Sequence, residues 1–226
     1  MYLSHFETHL KFSKTHMVAT PSLSIYRALS GRASPKSDRP REPGVRIRDE
    51  ERKSLVVWDY DSCSIIFEDR QEHNSCITNT VELLDKIDKI APMLELETRG
   101  LKVDWVLPVV NYDFKSLEQK YREHFFKQYP IFDNCVDSGV VMDMRRNNWS
   151  FHHESGPMNI AQLRSDFRAF PMAETKDKLF LFLDSVVESS EKIRYSNKQM
   201  KEFLDGAFKM CENHSVLFQG MMEGIL

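Results

Sequence analysis

The sequence predicts an α/β fold: a small, mainly parallel sheet flanked by helices, with a helical C-terminal end and a flexible basic N-terminal arm. Three observations predict it. From Lys53 onward, apolar runs of strand length alternate with stretches of helical period, the pattern of strands joined by crossover helices. The final stretch carries the clearest helix signals in the chain. The beginning of the chain is instead basic and interrupted by proline and glycine.

That division sets the domains: residues 1–53 as a basic, largely flexible arm and linker, and 54–226 as an α/β domain. Residues 1–48 hold nine Lys and Arg against three Asp and Glu, whereas the rest of the chain holds 22 against 31. The basic residues cluster at Arg27, Arg32, Lys36, Arg39, Arg41, Arg46 and Arg48. Pro35, Pro40, Pro43, Gly31 and Gly44 are interleaved with them. Prolines withhold backbone donors and few apolar residues remain to bury, so 28–53 reads as linker. Before it, Tyr2, Phe6 and Leu10 fall at helical spacing and suit a short amphipathic helix in an otherwise disordered tail. His5 and His9 would share one side of that helix and read as solvated. This acid-poor, Ser-containing end resembles an organellar transit peptide.

Leu55 to Trp58 is a continuous apolar run ending at Asp59, which suits a buried strand. Ser64 to Phe67 is a second extended piece. Residues 77–91 read as a helix, with Ile77, Val81, Leu84 and Ile87 on one face. Val103 to Val110 reads as a strand, at an edge or broken at Pro108. A helix over 113–128 follows, with Phe114, Leu117, Tyr121 and Phe125 at core spacing, ended by Tyr129-Pro130. Gly139 to Met144 reads as a strand. Residues 158–169 and 177–192 read as helices. In the last helix Ser196 and Gln199 form a capping box ahead of the stripe Met200, Phe203, Leu204, Ala207, Phe208 and Cys211. No internal repeat of 20 to 50 residues is expected.

Composition excludes several classes. The 226 residues are 41% apolar, enough to bury a sizeable core. Lys and Arg number 31 against 34 Asp and Glu, a net charge of −3, which excludes a wholesale polyanion binder but permits a local basic patch. No apolar run reaches membrane-spanning length, and no Sec-type leader is read. A cytoplasmic location is expected, with organellar import or non-Sec secretion left open. Cys63, Cys76, Cys135 and Cys211 are widely spaced and read as free thiols. Asp61, Cys63, His73 and Cys76 have ligand chemistry but no zinc spacing. No P-loop, dinucleotide fingerprint, nucleophile elbow or H-E-x-x-H occurs. His152, His153 and Glu154 read as a polar loop near Gly156-Pro157. Arg145 and Arg146 beside Trp149 are candidate binding residues for phosphate or a base. Ser215 to Gly220 is similar to a picornaviral 3C protease recognition site and carries no function.

The segment that carries chemistry is Ser54 to Ile65, S-L-V-V-W-D-Y-D-S-C-S-I. Asp59 and Asp61 follow a buried strand directly and share one face if the chain stays extended. Ligands of open α/β sheets bind beyond the carboxyl ends of strands. Two close carboxylates repel, and Mg²⁺ relieves that repulsion. This segment resembles the first motif of haloacid-dehalogenase-like phosphohydrolases, an apolar strand followed by D-x-D-x-[T/V]. The resemblance implies Asp59 as nucleophile, Asp61 as acid/base, a Mg²⁺ cofactor and a phosphorylated substrate. It departs from the family at Ser62 and Cys63, and at Val109-Val110-Asn111, where a Ser or Thr is usual. Lys115 and Lys127 are the candidates for the family's later Lys.

Trp58 to Cys63 also resembles the W-D-x-[E/D]-N-C start of some NYN/PIN-type ribonucleases, with Ser for Asn. That implies an acidic metal cluster that cleaves RNA, with the basic arm on phosphates. For the later acidic position Asp137 and Asp143 are candidates in the first resemblance, and Asp143 or Asp177 in the second. Asp59, Asp61 and Asp143 are therefore the expected metal set. The expected function is a divergent Mg²⁺-dependent phosphohydrolase-like domain, a hydrolase of phosphatase type. The alternatives are a non-catalytic interaction protein whose basic arm docks an acidic partner protein, and the nuclease.

Overall fold

The structure, a computed structural model, describes residues 1–12, 21–29, 45–59, 61–68, 71–93, 95–126, 138–165 and 179–223. Its strands are β1 (Tyr2–Phe12), β2 (Val45–Asp49), β3 (Ser54–Trp58), β4 (Ser62–Glu68), β5 (Leu96–Val109), β6 (Val140–Arg146), β7 (Trp149–Asn159) and β8 (Leu179–Ser189). The helices are α1 (Pro21–Leu29), α2 (His73–Asp88), α3 (Phe114–Phe125), α4 (Ile160–Ser165) and α5 (Asn197–Met222). All eight strands form one sheet in the order β2-β3-β4-β1-β5-β8-β7-β6. Every neighbouring pair is antiparallel. The expected small, mainly parallel sheet is thus corrected to a large antiparallel one.

The physical reason lies in the connections. Parallel neighbours need a crossover between each pair, whereas β2-β3-β4 and β6-β7 are joined by short turns as hairpins. The chain repeats one topology. A strand, a helix, three strands and a helix (β1 to α2) recur as β5 to α5, with α4 added before β8. The two halves meet at β1 and β5, so the order runs outward from the centre in the same way on both sides.

Residues 2–12 are therefore not an arm. β1 pairs with β4 on one side and β5 on the other. Phe6, Thr8, Leu10 and Phe12 face inward and are buried. A spacing of four residues satisfies a strand as well as a helix, which is why Phe6 and Leu10 read as helical, whereas a register shift between Leu3 and His5 turns Tyr2 to the other face. Residues 45–49, expected as linker, pair with β3. The stretch from 30 to 44, with Arg32, Lys36, Arg39 and Arg41, lies outside the described residues.

The second correction is β8, read as helix over 177–192. Leu179, Leu181, Leu183 and Val187 point to one face and Phe180, Phe182 and Val186 to the other, so an apolar residue recurs at both periods. His152 to Pro157, read as a loop, are the middle of β7. Within that strand Gly156 is required: a Cβ there would lie 2.9 Å from the Ser138 carbonyl oxygen. Pro108 sits in a central strand. It is tolerated because β1 ends at Tyr2, opposite Val106, which leaves the end of β5 paired on one side only.

The long helices cover one face of the sheet. Ile25 of α1, Ile77, Leu84 and Ile87 of α2, Leu117 and Tyr121 of α3, and the Met200 to Phe218 stripe of α5 join the inward residues of the strands in one core. Phe12 stacks on Trp58 at 4.9 Å, and Phe6 meets Phe67 and Phe208. The N-cap of α5 is present: the Ser196 side chain accepts from the Gln199 N–H and donates its hydroxyl to Gln199 Oε1. On the opposite face Val106, Met158 and Phe180 form a smaller apolar cluster with Tyr2, Ile160 and Phe182. Among the described residues no helix is long and apolar enough to cross a membrane.

Removing residues 1–12 should abolish folding, because it opens the centre of the sheet. Leu10→Ala should leave a folded chain destabilised by about 3 kcal/mol, the usual cost of emptying a buried leucine site. Circular dichroism and urea unfolding of both variants check this. A cooperative transition at wild-type urea concentration for the truncated chain would refute the role given to β1.

Candidate functional site

Asp59 and Asp61 lie at the turn between β3 and β4. The Asp59 N–H donates to the Ser62 carbonyl at 2.8 Å, and the Asp61 carbonyl accepts from the Phe12 N–H at 3.0 Å. Both residues are half-buried. The turn joins antiparallel strands, so the carboxylates do not sit at the carboxyl end of a parallel strand ahead of a helix. Asp143 is on β6, with β4, β1, β5, β8 and β7 standing between it and β3. Mg²⁺ holds its ligands at ~2 Å, and neighbouring strands are already ~4.8 Å apart. Asp59, Asp61 and Asp143 therefore do not fit one Mg²⁺ site. Asp143 instead meets Nδ1 of His152 at 2.8 Å. Among the described residues no group of three or more His, Cys, Asp or Glu is placed to hold a metal.

The other candidates also separate. Arg145 and Arg146 are exposed and point to opposite faces of β6. Trp149 stacks on Phe203 of α5 at 5.6 Å and belongs to the helix side. Cys63, Cys76 and Cys211 are free and buried, and burial pushes each thiol up to about 12. His73 stacks on Phe208 at 4.2 Å instead of joining Cys63 and Cys76 around a metal. His153 faces the helices, where it stacks near Phe151 and His214. Burial, with the nearby His214, lowers it to about 4. Cys135, Lys127, Asp137 and Asp177 lie outside the described residues.

What the fold does assemble is a charged network at the centre of the open face. Strand register lines up two rows there. One runs Glu68, His5, Asp104, Asp184, Glu154; the next runs Ile66, Glu7, Lys102, Val186, His152. His5 lies 3.3 Å from Glu7 through Nε2 and 3.5 Å from Glu68 through Nδ1. Lys102 Nζ is 2.8 Å from Asp184 and 3.9 Å from Asp104. His5 and Glu68 are nearly inaccessible, at 5% and 1% side-chain exposure, while Lys102, Asp104 and Asp184 keep 15 to 21%. The apolar cluster around Val106 and Phe180 adjoins the rows and helps to exclude water.

Burial alone would disfavour the His5 imidazolium. The carboxylates of Glu68 and Glu7, with Asp104 behind them, outweigh it and raise His5 to about 9. Asp104 is pushed up to about 7, first by burial and then by the Asp184 charge directly opposite, against the pull of His5 and Lys102. Burial works against the Glu7 carboxylate, but His5 and Ser64 beside it hold it below its usual range. The arrangement keeps a fixed cation at His5 and an exchangeable proton on Asp104 near neutral pH, with partial access to solvent.

The linear signal for this site was present as alternation. His5, Glu7 and His9 interleave with Phe6, Thr8 and Leu10, and Lys102 and Asp104 interleave with Leu101, Val103 and Trp105. Such alternation marks a half-buried strand. What the sequence does not reveal is which strands lie side by side.

The network makes stability depend on pH. The folded-state value of His5 lies above its unfolded one, so its contribution is full below pH 6.5 and is lost as pH rises through about 9. At about 1.4 kcal/mol per tenfold change in proton affinity, that is roughly 3 kcal/mol. The melting temperature of the wild type should fall over this window. His5→Gln should be less stable at pH 6.5 and decline less steeply from there to pH 9, the remaining fall coming from ionisation of the buried Asp104 carboxyl. An unchanged wild-type profile in the variant would rule out His5 as the titrating group. No protein-family model matches the chain, and no curated protein matches it.

Proposed function

We propose that the chain is a non-catalytic interaction protein that docks an acidic partner polypeptide through its basic segment, residues 27–48. The observation that carries this reading is the pair Arg46 and Arg48. Both are exposed and project from the open face of β2, the last strand at that edge of the sheet. In sequence they directly follow Arg32, Lys36, Arg39 and Arg41. Alternate residues of a strand are ~7 Å apart on one face, which matches alternate carboxylates of an extended acidic segment lying beside β2. Arg48 is 3.6 Å from Glu50, but both are exposed, and such a pair is readily exchanged for an incoming carboxylate.

The separation of Asp59 and Asp61 from Asp143 favours binding over phosphoryl transfer. A phosphohydrolase needs its carboxylates to converge on one phosphate and one cation.

A labelled polyglutamate peptide provides the probe, with anisotropy as the readout. The wild type should bind it in a salt-sensitive manner. Arg46→Glu/Arg48→Glu should weaken binding by about tenfold or more, as like-charge juxtaposition replaces attraction. Equal affinity in the variant would refute the assignment. Turnover of p-nitrophenyl phosphate with Mg²⁺ should be the same for wild type and Asp59→Asn. Turnover present in the wild type and lost in the variant would instead support the phosphohydrolase.

A further inference from the structure

The two edges of the sheet are chemically unlike. At β2 the exposed Arg46 and Arg48 lie on one face. If two copies of β2 paired about Ile47, each Arg46 would stand opposite a second copy's Arg48, so like charge guards that edge. Among the described residues no strand pairs with the outer edge of β6, and Val141 to Arg146 are all exposed. Val141, Met142 and Met144 are among the most exposed large apolar side chains, at 56%, 41% and 46%. An uncovered, apolar, proline-free edge strand is a template for another strand.

We propose that two copies of this chain associate edge to edge through β6, antiparallel and centred on Met144. The register follows from the residues. Asp143 and Arg145 share the open face, and a two-fold centred on Met144 sets each Asp143 opposite the second copy's Arg145. The two Met144 side chains then meet on the helix side. Centring on Asp143 would oppose two carboxylates; centring on Met142 would leave Asp143 opposite Val141.

Backbone phase agrees with this choice. β6 and β7 close at Arg146 and Trp149 over the two-residue turn Asn147-Asn148, with Asn147 at φ 53. In a two-residue hairpin the closing pair exchanges both hydrogen bonds, so Arg146, Met144 and Met142 turn their backbone groups toward β7. Val141, Asp143 and Arg145 turn theirs outward. The Met144-centred register therefore joins Asp143 to Arg145 by backbone bonds as well as charge, twice over.

The apolar surface extends beyond the strand. Met210, Leu217 and Met221 are exposed on α5. They lie at helical spacing from His214, which stacks at 4.4 Å on Phe151. Phe151 is the cross-strand partner of Met144.

Sedimentation equilibrium of the full chain, from micromolar to submillimolar concentration, should show a species of twice 26.6 kDa. Asp143→Arg and Met144→Lys should each shift the chain to the monomer mass. Asp143→Arg/Arg145→Asp should restore the doubled mass, because the ion pairs re-form with signs reversed. Circular dichroism on these exposed-site variants should show the wild-type fold. A monomer at every concentration would overturn the proposal and leave β6 free for a different strand. A dimer insensitive to Asp143→Arg and Met144→Lys would overturn it as well. Failure of the charge swap to restore an Asp143→Arg monomer would overturn the Met144-centred register.

Discussion

The structure depends on β1 being paired on both edges. Its eleven residues bind β4 along one side and β5 along the other, and they are the seam between the two halves of the molecule. A strand in that position must satisfy two ladders and two faces at once. Its inward residues Phe6 and Phe12 reach Phe67, Phe208 and Trp58 and so tie together β4, α5 and β3. Its outward residues, His5 and Glu7, are held between Glu68 of β4 and Lys102 and Asp104 of β5. Everything beyond the seam on either side is placed by reference to it. Because β1 precedes its partners β4 and β5 by more than fifty residues, its pairing is non-local and its ordering is completed late in the chain.

Asymmetry between the two faces follows from how many groups need water. The helices cover one face with an apolar layer, and among the described residues no comparable layer covers the other. The open face is nevertheless not a plain solvated surface, since His5 and Glu68 are buried within it. Burying a charge is costly unless partners repay it. Here the repayment is mutual but incomplete: His5 pairs with Glu7 and Glu68, and Lys102 with Asp184 and Asp104, while Asp104 Oδ1 and Asp184 Oδ1 are buried without a hydrogen bond. Among the described members of the cluster Glu7, Glu68, Asp104 and Asp184 outnumber His5 and Lys102, and burial together with the Asp184 charge raises the Asp104 carboxyl to about 7. The cluster therefore holds the central strands in one register. A one-residue slip would carry the charges to the helix side, where they have no partners.

Elements whose signal is local were legible in the sequence. The capped α5 stripe, the α3 core face and the strand Leu55 to Trp58 all occur where their periodicity placed them. The misread elements are those whose residues satisfy two periods. Phe6 and Leu10 suit a helix face or a strand face, and Leu179 to Val187 is apolar on both sides of a strand. Parallel and antiparallel pairing also leave the same mark on a single strand, so the sheet was misassigned although β3, β4, β5 and β6 were found. The Asp59/Asp61 segment shows the same limit. A strand followed by D-x-D reads identically whether a helix or a hairpin comes next, and here the next strand returns immediately beside the first. The charged network was out of reach for a further reason. Its members come from β1, β4, β5 and β8, and only their register brings them together.

The near-symmetry of the two halves makes their differences informative. Each half ends in an outer strand, β2 or β6, at an equivalent place in the topology. Topology alone therefore gives no reason for the two edges to differ. Yet β2 carries arginine at alternate positions of one face, whereas β6 carries Asp143 and Arg145 on one face and Met142 and Met144 on the other. The first arrangement repels its own copy and attracts carboxylates. The second is complementary to itself under a two-fold, with opposite charges on one side and a Met144–Met144 contact on the other. An edge strand exposes the same backbone donors and acceptors whatever its sequence, so side chains alone decide what may pair with it. Two edges with equal backbone chemistry and opposed side-chain chemistry are what separate the two proposals, an acidic chain at β2 and a second copy at β6.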